Sequence, residues 1–519
     1  MTHIQVFIKR IAIVSMLLLF HISCSEEFLD QVNPNVITPA SFWQTEEDAQ
    51  KGIFGAYAPF TNIWYYTRFE IFTSDYRDDL VNGFNTSERT AVGYFSGTSE
   101  SNATRWVWQA MFQCVARANE VLWNVPNIDM DANLRDNILG EAYFIRAYNY
   151  FKLVNNWLNV PLITTPMSEI AEPNLISQAP PAEVWAQIES DLMQAQNLLP
   201  DSWSDDQRGR VTSGAAIGFL GQVYMYQSKY ADAKAEFSKI MDGRYTLAPD
   251  YAHNFTEEFE NNSESLFEIQ MISDGNGGWG ADNANSGKGS AYQPDLAPAG
   301  FTNQNGMRIN QWALDLFLDE RTINGEIDPR AFTTFFWDTE DTTTYQGRVL
   351  RSRTYENKTY ADAYPNGGTA IYANKYLDWE FNGHSGALDG GWHGAGNNLR
   401  MLRYADILLM FAEAEFQLNG STDAAVNAVN EVRARVDMPP FTTLTLQDIE
   451  DERVKELSLE RTRYFDLLRW GRVQSRLVDN PDFKSESAGT AAYKPGREYI
   501  AIPQNEISNN PNFVQNPGY

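Results

Sequence analysis

The stretch LGQVYMYQSKYADAKAEF, from Leu220 to Phe237, decides the fold. It reads as two short helices, Ala215 to Gln227 and Tyr230 to Met241, crossing at close range. Gly221 and Ala233 are small where the two backbones approach. Tyr224 and Phe237 fill the gap that the small residues leave. A glycine inside a helix costs about 1 kcal/mol against alanine, so its presence there points to close packing.

Working outward, Leu220, Gly221, Tyr224, Tyr230, Ala233 and Phe237 have the spacing of a tetratricopeptide unit. Leu139, Gly140 and Tyr143 repeat its first half. Apolar residues at helical spacing recur over Trp106 to Trp123, Leu134 to Val154 and Glu183 to Leu199. They recur again over Met401 to Leu418, which ends at Gly420, and Asp423 to Val436, which follows Ser421 and Thr422. The repeats are degenerate, so the expectation is a mostly α fold of tetratricopeptide-like helical pairs, packed side by side without a long regular array. Cys114 sits on the apolar side of the first of these helices and reads as a buried, inert thiol.

The first residues indicate the compartment. Lys9 and Arg10 precede Ile11 to Phe20, a run that is apolar except for Ser15. That is about half the roughly 20 residues a spanning helix needs, and it fits a signal peptide. Ser23 precedes Cys24 as at a lipoprotein cleavage site. Residues 1–23 therefore read as signal peptide, 24–45 as lipid anchor and tether, and 46–519 as one helical domain. Cleavage removes two cations from a chain of charge -28 and leaves -30. So acidic a surface argues against nucleic acid and fits a neutral ligand.

No G-x-S-x-G, H-E-x-x-H, P-loop or dinucleotide fingerprint is present. After cleavage the histidines are His253, His384 and His393, and the last two flank Asp389 without helical spacing. No catalytic residue, metal site or cofactor is expected. A glycosidase, whose two carboxylates chance could supply among 68 acidic residues, is one alternative. A structural surface adhesin is the other.

Loop aromatics are the better lead, because a sugar face packs on a ring while its hydroxyls need polar partners at the edge. Asp274 to Tyr292 carries six glycines around Trp279, and Gly390 to Gly396 surrounds Trp392. Glycine-rich flanks supply little core to bury an indole. Phe60 to Asn85 adds Trp64, Tyr65, Arg68, Asp75 and Asn85. Trp279, Trp392, Trp64, Tyr65, Arg68, Asp75, Asn85 and Tyr292 are the candidate ligand contacts, and loop-rich insertions are expected over about residues 272–400. Near the end, Val454, Leu457, Arg461, Tyr464, Phe465 and Leu468 follow one stripe of an amphipathic helix, with ion pairs along its flank.

Several longer motifs stand in order: CSEEFLD at Cys24 to Asp30, EAYFIRAYNYFKL at Glu141 to Leu153, and GRVT at Gly209 to Thr212. LRYADILLMFAEA at Leu402 to Ala414 and VNEVRAR at Val429 to Arg435 follow, then ERTRYFDLLRWG at Glu460 to Gly471. With these the chain resembles the SusD/RagB family of outer-membrane nutrient-binding lipoproteins over nearly its whole length. Leu158 and Asn159 depart from it where the family places glycines, and a local loop change is expected there. The resemblance implies a loop-rich ligand-binding face over the helices and an oligosaccharide or polysaccharide ligand. It also implies a SusC-type TonB-dependent transporter as partner and an outer-membrane location facing the exterior. Ser25 to Glu27 resembles the acidic signal for surface export.

Overall fold

A computed structural model describes residues 42–82, 91–272, 289–290, 295–301, 307–353, 358–377, 395–480 and 492–519. The amino-terminal half is a succession of helices: α1 (Glu46–Tyr57), α2 (Asn102–Asn124), α3 (Ala132–Trp157), α4 (Pro181–Leu198), α5 (Ser213–Tyr226) and α6 (Tyr230–Ser238). From α2 on, each packs against the next. The pair read from Leu220 to Phe237 is α5 and α6. Gly221 is buried, and a Cβ added to it would collide with the Phe237 ring. At Gly140 an added Cβ would lie 2.9 Å from Leu199 Cγ, so the half-repeat on α3 marks its crossing with the end of α4. Cys114 is fully buried on α2, and burial pushes its thiol up.

The carboxy-terminal half returns onto these helices. α10 (Tyr404–Asn419) packs on α6, and α11 (Asp423–Arg435) and α12 (Leu446–Leu457) pack on α10. α10 stops at Gly420, whose φ of 75° suits glycine, and Thr422 caps α11 by accepting from Ala425 N. Between the halves lie β2 (Ser265–Ile269) and β8 (Leu399–Arg403), an antiparallel pair. Residues 399–403 are thus a strand, and the helix expected from Met401 starts at Tyr404.

The interval 272–400 is not all loop. β1 (Val81–Asn82), β3 (Arg308–Ile309), β7 (Ile371–Ala373) and β4 (Phe335–Phe336) form a four-stranded sheet in the order β1-β3-β7-β4. α7 (Gln311–Leu318) and α8 (Pro329–Thr334) join it, with the hairpin β5 (Thr342–Tyr345) and β6 (Arg348–Arg351) and the single turn α9 (Tyr360–Ala363).

Two other expectations need correction. The stripe from Val454 to Leu468 is not one helix: α12 ends at Leu457 and α13 (Arg463–Arg469) begins six residues on. Leu459 and Arg461 between them take φ of 64° and 63°. The break is stabilised by side chains that take up freed carbonyls: Tyr251 and Arg403 donate to Glu456 O, and Lys375 donates to Ser458 O at 2.7 Å. Nor are its charges on a flank, since Arg453, Glu456, Glu460 and Asp466 are all buried. At Leu158 the chain turns without glycine. Asn159 N donates to Trp157 O at 2.6 Å around φ 60° and ψ -67°, the rare, strained form of γ-turn.

Candidate ligand-binding face

The described residues on either side of 273–288 and 378–394 lie next to one another. Ile269 pairs with Leu399, and Met271 N donates to Asn398 Oδ1 at 2.6 Å. These contacts join the chain entering 273–288 to the chain leaving 378–394. Ser290 and Ala395 form an isolated antiparallel bridge one step further out. Asn397 Nδ2 donates to Tyr376 O, which holds the start of the second segment beside its end. Val81 pairs with Ile309 and Asn82 with Arg308, so the start of 83–90 and the end of 302–306 are also adjacent. Short antiparallel contacts thus hold together the described residues that flank 273–288 and 378–394 and, separately, those beside 83–90 and 302–306.

The same interior explains four of the candidate contacts. Arg68 is buried and makes a two-pronged pair with Asp295, Nε to Oδ2 at 2.7 Å and Nη2 to Oδ1 at 2.8 Å. It ties the segment at 291–301 to the helical core. Tyr65 is fully buried and donates to Asn149 Oδ1 at 3.0 Å. Asp75 is buried and accepts from Arg461 N at 2.8 Å. All three are buried and engaged within the fold, where the sequence reading had them as ligand contacts. Trp64 is half-buried, 4.0 Å from Trp106 and 5.4 Å from Phe69 between ring centres, so most of its apolar face is already spent on packing. Asn85, Trp279, Tyr292 and Trp392 lie outside the described residues, as do Cys24, His384, Asp389 and His393.

Sequence reasoning missed a cleft of about 650 Å³ beside β2. The GRVT motif builds one wall. Gly209 has φ 97°, and a Cβ there would collide with Gln270, three residues before 273. Arg210 next pairs with the buried Glu141, and its guanidinium lies 3.8 Å over the half-buried Trp203 ring. Val211 fills the core, and Thr212 caps α5. A smaller recess of about 180 Å³ continues past Arg210 to the exposed Phe54. The legible signal was the motif itself, but not that Trp203 would face its arginine.

At the loop bases Glu260 is pushed up to about 8: burial raises it and Glu268 and Glu257 add, against Asn398 N and Arg400. A protonated carboxyl there donates as well as accepts. Among the described residues no cluster of histidine, cysteine or carboxylate side chains could hold a metal ion.

Comparison with known proteins covers both halves of the chain. The profile of the SusD family matches residues 263–519, and that described as "Starch-binding associating with outer membrane" matches 27–225. SusD-like protein P2 of Formosa agariphila is 26% identical, over 97% of this chain and 98% of its own. A solved structure described as a laminarin binding SusD-like protein superposes with a TM-score of 0.72 at 28% identity, covering 92% of this chain and all of the other. A SusD superfamily protein from Bacteroides vulgatus gives 0.77 at 22% identity over the same shares.

Proposed function

The chain belongs to the SusD/RagB family, and from that premise we propose that it is a surface lipoprotein that binds a glycan and passes it, unaltered, to a SusC-type TonB-dependent transporter. The observation that carries the reading is the gathering of the loop bases by the Ile269–Leu399 pairing and the Ser290–Ala395 bridge. The stretches that bear the glycine-flanked Trp279 and Trp392 in sequence are flanked by described residues that lie side by side, which supports a shared site for them, with Tyr292 close by in sequence. An indole on so acidic a chain needs an apolar partner, and a sugar face supplies one. The laminarin-binding relative makes laminarin the first glycan to test.

Alanine at Trp279 and at Trp392 should each weaken glycan binding by about 2 kcal/mol or more while the melting temperature holds. Titration of the acyl-free chain with a glycan panel measures this. Undiminished affinity in the double variant would remove the loops from the site. Product released from the best-bound glycan, and absent from a matched control preparation, would make the protein an enzyme. For the anchor, Cys24→Ala should free the chain from outer membranes, and the transporter should co-purify with the unaltered lipoprotein.

A further inference from the structure

Away from the loop bases, α2, residues 161–176 and the carboxy-terminal helix α14 (Gln504–Asn509) enclose a groove of about 610 Å³. Phe112, Ile163, Ile176 and Phe513 give it an apolar floor. Its rim carries the exposed amides of Gln109, Gln113, Asn174 and Asn509. No side-chain hydrogen bond joins these four amides to another described residue. Gln109 and Gln113 stand one helical turn apart, so both project over the same side of the groove.

The walls are built before any ligand arrives. Buried Asn119 donates to Ile163 O at 2.9 Å and Thr165 O at 3.2 Å. Its own carbonyl accepts from Arg146 at 2.9 Å, and Arg146 is paired with Asp191. On the other side Asn510 donates to Ile176 O at 2.7 Å, which pins the carboxy-terminal segment to the 173–178 strip. Walls held this way lose little freedom on binding.

The lining chemistry selects the occupant. Among the described residues no cation lines the groove, and the single ionisable group is Glu506, which burial raises. An ionic ligand would find no counter-charge. A purely aliphatic one would leave amides, each both donor and acceptor, without partners as water is displaced. Hydroxyls on an otherwise apolar ring match both demands.

We propose that this groove is a second binding site for an uncharged oligosaccharide, separate from the loop-borne site. The idea rests on the glycan reading above, and the two can fail separately. The test is calorimetric titration of the acyl-free chain with laminarihexaose, maltohexaose, cellohexaose and an acidic oligogalacturonate. Four proteins are compared: the unaltered chain, the Trp279→Ala/Trp392→Ala variant, a Gln109→Ala/Gln113→Ala/Asn509→Ala variant whose changes are all at exposed positions, and the variant that combines both sets. The loop variant should keep a weaker site for at least one neutral hexasaccharide, and adding the three amide changes should weaken that site at least tenfold. If the loop variant binds no neutral hexasaccharide that the unaltered chain binds, or if the amide changes leave its affinity intact, the groove proposal falls and the loop reading stands. If the amide variant alone loses all binding, the loop reading falls instead. Binding of the acidic oligomer to the loop variant overturns the uncharged class, and binding of no hexasaccharide by any protein overturns the proposal outright.

Discussion

The α5–α6 pair and the α12–α13 block are both buried, yet opposite means hold them. In the first, Gly221 and Ala233 let two helices approach until Phe237 fills the space between them, and the contact is apolar. In the second, carboxylates and guanidinium groups carry the packing. Arg403 reaches Glu264, Glu456 and Glu460, while Arg330 meets Asp328, Glu452 and Glu456. Arg453 joins Asp406 to Asp466. Apolar packing tolerates adjustment of shape, whereas a buried charge network tolerates almost no change of charge.

Acid should therefore act on the second region first, and by the largest amount. At Glu456 burial opposes ionisation, but Arg435, Arg403 and Arg330 outweigh it and hold the carboxyl well below its usual range. Glu460 and Asp466 are lowered by the same contest, with Arg403 and Arg453 leading. A lowered folded-state pKa gives stability that is full above the unfolded value and lost as pH falls through the folded one. Asp406, raised by burial, tempers the slope. Melting curves should drop steeply from about pH 5 downwards. A melting temperature constant to pH 3 would contradict the network.

Glu456→Ala comes next. It takes one carboxylate partner from each of the buried Arg330, Arg403 and Arg435, and breaking such a set typically costs about 3–5 kcal/mol. Denaturant titration reads it, and a loss below about 1 kcal/mol would mean that water reaches the site. Gly221→Leu should cost less, about 1–3 kcal/mol, because the Phe237 ring can shift. An unchanged midpoint would place the pair further apart than described. The smallest effects should be alike in the two regions, since a threonine starts both. Thr212→Ala and Thr445→Ala each remove an acceptor for a first-turn N–H, at about 0.5–2 kcal/mol. Thr445 should lose more, because its Asp448 partner completes a capping box.

That contrast also explains what could be read in advance. Gly221, Gly140, Gly420 and Thr422 announced crossings and helix ends because their reasons are local in the chain. The partners of Arg403 come from Glu264, Glu456 and Glu460, up to 139 residues away, and no spacing rule pairs them. Met401 to Arg403 looked like the start of a helix because the strand partner, β2, is equally remote. For the site, the resemblance implied a loop-rich face, and glycine flanks nominated Trp279 and Trp392, which lie outside the described residues. Tyr65, Arg68 and Asp75 misled because polar and aromatic side chains look the same in sequence whether they meet a ligand or, like Arg68 with Asp295, a distant part of the chain.

The pairing of β2 with β8 has one more consequence. Because both ends of each tryptophan-bearing segment are held at one small sheet, chain can be inserted or exchanged between those ends without disturbing the helices. Closing a flexible loop costs only about 0.6 kcal/mol more for each doubling of its length. The fold thus sets almost no limit on how long, or how differently composed, the chain between those held ends becomes.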